Sequence, residues 1–235
     1  MKTIDKRTSL DHAMKKINSG QTIMAGGFGV PGTPFTLLQG LLDRNLKHLT
    51  LIKNEANEDG MGLSKVIEAG MADRLITSHL GLNSTVINMM NDKNIQVEFF
   101  PQGILAEKIR AGGAGLAGIL TDIGMDTLIS KNKQMVIMDD TPVIVEKSLR
   151  ADVALVHAAK ADRAGNLMFE KSARNFNPIM AMAADLVIVE AEEIVPTGAM
   201  APDAIHLPCA FVDHVVLIKN LTSAYGVLKS HVIQA

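Results

Sequence analysis

Tryptophan is absent, and tyrosine and cysteine occur once each, as Tyr225 and Cys209, in a chain of 235 residues. A lone thiol closes no internal disulfide and builds no thiolate metal cluster, which excludes a disulfide-stapled extracellular scaffold and makes a reducing cytoplasm the expected setting. Cys209, beside Pro208 in apolar company, is expected to be a small buried hydrophobe. Charge of one sign is lacking too: 23 Lys and Arg stand against 25 Asp and Glu, a net charge of −2, so nothing draws the chain to nucleic acid or a membrane surface. Between Met1 and Gly20, Lys2, Lys6, Arg7, Lys15 and Lys16 interrupt any apolar run, so neither a secretory nor a membrane segment is expected there. The histidines, at 12, 48, 79, 157, 206, 214 and 231, show no metal-binding spacing, and no G-x-S-x-G elbow marks a serine hydrolase. No metal is expected.

What is present is aliphatic. With 47% hydrophobic residues and 14 Met, the chain can fill a core of helices packed on a sheet. Thr22–Ala25 is an apolar run stopped by Gly26 and Gly27. Phe35, Leu38, Leu41 and Leu42 then recur at helical intervals between Pro34 and Leu46, with Thr33 placed to cap and Pro34 at the first helical position. The alternation continues through strands at Leu49–Ile52, Arg74–Thr77 and Ile95–Phe100, and helices at Leu63–Ala69, Ser84–Asn91 and Ile104–Ala111. Gly112 to Gly118 reads as a loop, and Met135 to Glu146 as an antiparallel hairpin turning at Asp139-Asp140. Val153–His157, Leu186–Glu190 and His214–Ile218 are buried-strand patterns, with a helix expected over Pro178–Ala184. The expected fold is α/β: an open, mostly parallel sheet with helices on both faces and a small inserted antiparallel hairpin region, residues 1–235 forming one domain.

The conspicuous motif is Gly26-Gly27-Phe28-Gly29-Val30-Pro31-Gly32, where Gly27, Gly29 and Gly32 satisfy G-x-G-x-x-G between strand and helix. Two readings stand. Backbone amides beside an electropositive helix start can meet an anionic or thioester ligand, or the glycines simply make a tight turn. In a dinucleotide site, Glu55 at the end of the second strand would bind a ribose hydroxyl; the interval from Gly27 is long for that, and Pro31 stiffens the turn.

Several blocks together resemble the α subunit of family I coenzyme A transferases of the acetate/butyrate–acetoacetate type. They are Ile23–Phe28 with Gly32 and Pro34; Pro101-Gln102-Gly103 through Arg110–Gly115; Arg150–Leu155; and Ala173–Pro178. The likeness implies transfer of CoA between acetoacetyl-CoA, or a similar acyl-CoA, and a short-chain carboxylate such as acetate or butyrate. Its route is ping-pong, through a glutamyl-CoA thioester on a β subunit, within a heterotetramer or larger assembly. Coenzyme A is then a substrate, and no permanently bound cofactor is implied. The family's nucleophile lies in a Ser-Glu-Asn-Gly context that this chain lacks.

By the same resemblance, Gln102 takes the place of a side-chain amide at the reacting centre, a non-titrating donor suited to an oxyanion. Asn54 matches the start of an Asn-Asn-Ala-Gly element, from which Glu55 and Asn57 depart. The glycine turn, Gly26 to Gly32 with Phe28, Val30 and Pro31, joins Asn54 and Glu55 as the expected substrate and CoA contacts. Glu55 could instead be a nucleophile itself, or a solvated loop carboxylate. Asn177 is expected to cap a helix, and Arg174 to pair near Asp152 or with a subunit neighbour. The alternatives from other classes are a nicotinamide dinucleotide-binding oxidoreductase and a sugar-phosphate-binding regulator.

Overall fold

A computed structural model describes residues 4–220; Lys2, Tyr225 and His231, named above, lie outside the described residues. The chain begins with α1 (Leu10–Met14), whose first turn is capped by Ser9 Oγ accepting from His12 N at 3.2 Å. At five residues it leaves no periodic signature in the sequence. The alternation read from the sequence follows as β1 (Thr22–Ala25), α2 (Phe35–Asp43), β2 (Leu49–Ile52), α3 (Leu63–Glu68), β3 (Ala72–Thr77), α4 (Ser84–Asn91), β4 (Gln96–Phe99) and α5 (Gln102–Gly113). A small sheet is built by β5 (Gly118–Thr121), β6 (Met135–Met138) and β7 (Thr141–Lys147). Then come β8 (Ala151–Asp162), β9 (Leu167–Met168), α6 (Asn177–Met182), β10 (Ala184–Val195) and β11 (His214–Leu217).

The main sheet has the order β11-β10-β8-β1-β2-β3-β4, every neighbouring pair in that path parallel, with β9 antiparallel on β8. Period-two alternation sends Ile23, Leu51, Leu75, Val153 and Leu155 to one face, against Leu37 and Leu41 of α2, Val66 of α3 and Val86 of α4. Met24, Ile52, Ile76, Ala154 and Val156 point the other way, onto Ile104, Leu105 and Ile109 of α5 and Met180 of α6. Both faces are covered, which is why these strands read as continuous apolar runs. Truncating a fully buried member such as Leu105 to alanine costs about 2–5 kcal/mol.

Several expectations need correction. Gly112 and Gly113 are not loop residues but the last turn of α5. Their lack of a side chain serves close packing: a Cβ on Gly112 would lie 2.0 Å from Leu149 O, and one on Gly113 2.8 Å from Met182 Cβ. The predicted hairpin is present as β6 and β7, and β7 also pairs antiparallel with β5, so the insertion is three-stranded. Thr33 does not cap α2; its hydroxyl donates back to Gly29 O at 2.7 Å, and the helix starts after Pro34. Strands β8 and β10 extend well beyond the apolar runs, pairing in register as far as Asp162 and Val195. Cys209 is half-buried, in a 3₁₀ turn over Cys209–Phe211.

Candidate functional site

Chain order runs outward from the middle of the sheet in both directions, so β1 and β8 diverge at a topological switch point. In open α/β sheets ligands gather beyond the carboxyl ends of the strands at such a point. The glycine turn after β1, the segment Lys53–Asn57 after β2, Ser78 after β3 and Gln102 after β4 all stand at that edge.

In the glycine turn, most of the space left by missing side chains is already filled. A Cβ on Gly26 would stand 1.9 Å from Asn177 Oδ1, on Gly27 2.4 Å from Thr33 Oγ1, and on Gly32 2.4 Å from Ala173 O. Gly27 and Gly32 also need φ of +100° and +74°. Backbone packing therefore accounts for these glycines. Val30 is buried, Pro31 O accepts from Asn175 Nδ2 at 2.9 Å, and Phe28 is the exposed tip. The helix start behind the turn is also engaged: Leu37 N donates to Glu190 Oε2 at 2.9 Å. Burial raises the Glu190 carboxyl above its ordinary value, opposed by the hydrogen bond from His157 Nδ1 at 2.9 Å. An internal carboxylate thus takes the place a pyrophosphate would need.

Asn177 is not a cap. It is the first residue of α6 and fully buried; its Nδ2 donates to Gly32 O and Ala173 O at 3.0 and 2.9 Å, while Oδ1 accepts from His157 N at 3.0 Å. Asn175 and Asn177 together bind the glycine turn to β8 and α6. Arg174 is exposed, and Asp152 instead accepts from Thr22 N at 2.7 Å.

After β2, Lys53, Asn54, Glu55 and Asn57 are all buried. Glu55 is therefore not a solvated loop carboxylate. Lys53 Nζ donates to its Oε1, and Asn54 Nδ2 donates to its Oε2 at 2.6 Å. Both oxygens are engaged and the group is buried, so it does not stand open to a ribose. Burial lowers the Lys53 ammonium below its ordinary value, against the opposing pull of Glu55. Asn57, where the resemblance leads one to expect glycine, adopts the glycine-like φ of +62°, donates through Nδ2 to Gly29 O at 2.8 Å and accepts from Leu63 N at 3.1 Å.

Gln102, the first residue of α5, is exposed and donates through Nε2 to Asn54 Oδ1 at 2.9 Å. Ser78 Oγ, with one proton to share, donates to Asn54 O at 2.7 Å and lies 3.0 Å from the same Oδ1. Gln102 and Phe28 face each other across an open cleft of about 330 Å³ that Asn175, Phe176 and Ile179 also line. The structure thus gathers Phe28, Asn54, Glu55 and Gln102. Sequence reasoning missed Lys53, Ser78 and Asn175. Lys53 left no signal, because the chain bends at Asn54 and Glu55 just past the end of β2 and only the fold brings the two side chains together.

The cleft lining contains a polar amide on an aromatic and aliphatic wall, and among the described residues that line it none carries a carboxylate. Such a surface can position a carbonyl and donate to its oxygen. It supplies no nucleophile of its own.

A family model described as Coenzyme A transferase matches residues 7–217. The chain is 42% identical over 210 residues to one chain of a probable succinyl-CoA:3-ketoacid coenzyme A transferase of Bacillus subtilis (strain 168), covering 89% of this chain and 88% of that protein. It is 42% identical over 217 residues to the alpha subunit of the acetate CoA-transferase of Escherichia coli (strain K12), covering 92% and 95%. An acyl-CoA transferase from E. coli O157:H7, solved as a thioester complex with CoA, has a TM-score of 0.86 at 21% identity over 95% of this chain and 49% of that one. The fold is shared, and this chain spans about half the length of that protein.

Proposed function

The chain belongs to the coenzyme A transferase family, and from that premise we propose that it is the α subunit of a short-chain acyl-CoA transferase completed by a β subunit. The substrates in this reading are acetoacetyl-CoA or a similar acyl-CoA and a free carboxylate such as acetate or butyrate, exchanged in a heterotetramer or larger assembly in the cytoplasm. Coenzyme A enters and leaves as substrate. Both curated relatives are named as one subunit of their transferase, which supports a two-chain enzyme.

The observation that carries the reading is the Gln102–Asn54 hydrogen bond at the mouth of the Phe28 cleft, combined with the engagement of Glu55. A carboxylate attacking a thioester carbonyl places negative charge on its oxygen and expels CoA as a thiolate, forming an anhydride. The thiolate then attacks the enzyme's own carbonyl, breaking the anhydride to give an enzyme thioester and the free acid. A second carboxylate reverses the sequence. Gln102, with a second Nε2 hydrogen left for the cleft, is suited to donate to that oxygen at any ordinary pH. The attacking carboxylate comes from the β subunit, because Glu55 is buried and held at both oxygens. Phe28 and the outer edge of the glycine turn, through Gly29 and Pro31, flank the acyl end.

Against a dinucleotide stand the filled glycine turn and the Glu190 carboxylate on the α2 amide. The test is coexpression with a β-type chain carrying Ser-Glu-Asn-Gly. Transfer from acetoacetyl-CoA to acetate is expected from the complex; its absence with every short-chain acceptor tried, from acetate to succinate, overturns the reading.

A further inference from the structure

We infer that Glu55, seated on Lys53, is a positioning residue that dictates which end of the Gln102 amide meets Asn54 and which is left for substrate. The inference rests on the reading of Gln102 above. An amide side chain is nearly symmetric in shape, so packing alone does not choose between its oxygen and its nitrogen. An ionised carboxylate is not symmetric in this sense: it only accepts. Glu55 Oε2 therefore requires the nitrogen end of Asn54, found at 2.6 Å. Asn54 must then turn its oxygen outward, where it accepts from Gln102 Nε2 at 2.9 Å. The polarity of one buried acid is passed through one amide to the next.

Lys53 fixes the other oxygen of that acid as an acceptor. Its side chain is fully buried, and Glu55 Oε1 is its acceptor. A buried ion pair is weak evidence of stabilisation, since desolvating both charges offsets much of their attraction. Here the pair has a second effect: Lys53 Nζ and Asn54 Nδ2 each meet one carboxyl oxygen as donors, so both oxygens of Glu55 act as acceptors. Were an amide to stand in place of the Glu55 carboxylate, Asn54 could meet it with either end, and Gln102 would lose its fixed direction. The backbone of the relay is secured separately, by Asn54 O accepting from Ser78 N at 3.0 Å and Thr77 Oγ1 at 2.9 Å, so Asn54 is free to choose only the sense of its amide.

Glu55→Gln preserves volume and removes the dictated polarity. Lys53→Met combined with Glu55→Gln does so without leaving a buried lysine facing an amide, and guards against a variant that fails to fold. In the full-length chain labelled with side-chain [15N]glutamine, the Gln102 amide signal, identified by its loss in Gln102→Ala, is expected to shift or split in both variants. An unchanged signal in the folded variants overturns the inference. In the complex, kcat for transfer from acetoacetyl-CoA to acetate should fall about 10–100-fold in Glu55→Gln with KM within about twofold, the range for supporting-shell losses. In a Gln102→Ala background the same change should cost less than about twofold; a full additive loss overturns the inference. Should the unaltered complex transfer nothing, the enzymatic reading fails, and the amide signal alone still decides the role of Glu55.

Discussion

Replacing Gly26 by alanine adds one methyl group where the structure has no room. Gly26 lies at the carboxyl end of β1, and its φ is not among the positive ones, so the effect is purely steric. The new Cβ would stand 1.9 Å from Asn177 Oδ1 and 2.6 Å from its Cγ. Asn177 cannot simply swing away, because its amide serves His157 N, Gly32 O and Ala173 O at once. Displacing it deprives three backbone groups of this partner, at about 1–3 kcal/mol for each one left unsatisfied, and overpacking adds about 1–3 kcal/mol. With about one of the three left unsatisfied after relaxation, a total near 4 kcal/mol is expected, or a fall in Tm of about 8–16 °C for a chain of this size. Asn177→Ala alone should cost about 3 kcal/mol, and the double variant about the same, a coupling of about 4 kcal/mol in a double-mutant cycle read by urea and thermal unfolding. A Gly26→Ala protein melting within about 2 °C of the parent, or losses that simply add, would refute the reasoning.

Glu190 gives a pH prediction. Burial raises its folded carboxyl value, so its stabilising contribution is full below the unfolded value and is lost as pH rises through the folded one. Glu190→Gln should therefore flatten the decline of unfolding free energy with rising pH above the ordinary glutamate range; parallel curves for both proteins would count against it. At Asn57, Asn57→Ala loses the bonds to Gly29 O and Leu63 N and keeps a left-handed φ of +62°, whereas Asn57→Gly loses the bonds alone. Glycine should be the milder change by about 1 kcal/mol in urea unfolding. Gln102→Ala should lower kcat of the complex about 100-fold or more while leaving Tm within about 1 °C, since the side chain is exposed; retention of full kcat would remove it from the chemistry.

The main sheet was legible because both of its faces are covered, which writes Leu49–Ile52 or Leu186–Glu190 as unbroken apolar runs. Gln102 and the glycine turn were legible as motifs at strand ends. The last turn of α5 was not: Gly112 and Gly113 break helical propensity locally, and what overrides it, Leu149 and Met182, is far along the chain. Asn177 misled for a similar reason. An Asn-Pro pair signals a cap, and only the fold shows that its amide is spent on β8 and the glycine turn. Glu55 reads as exposed or as a ribose ligand because its partner, Lys53, looks like an ordinary strand end until the bend at Asn54 and Glu55 brings the two side chains together.

The central claim is that this chain supplies the amide donor and another chain supplies the attacking carboxylate. Its most direct measurement is borohydride reduction of the complex after incubation with acetoacetyl-CoA, followed by mass mapping of both polypeptides. Reduction of the enzyme thioester converts a glutamate side chain to an alcohol, and that mark is expected on the partner's glutamate alone. A reduced Glu55, or turnover by this chain without a partner, would contradict it.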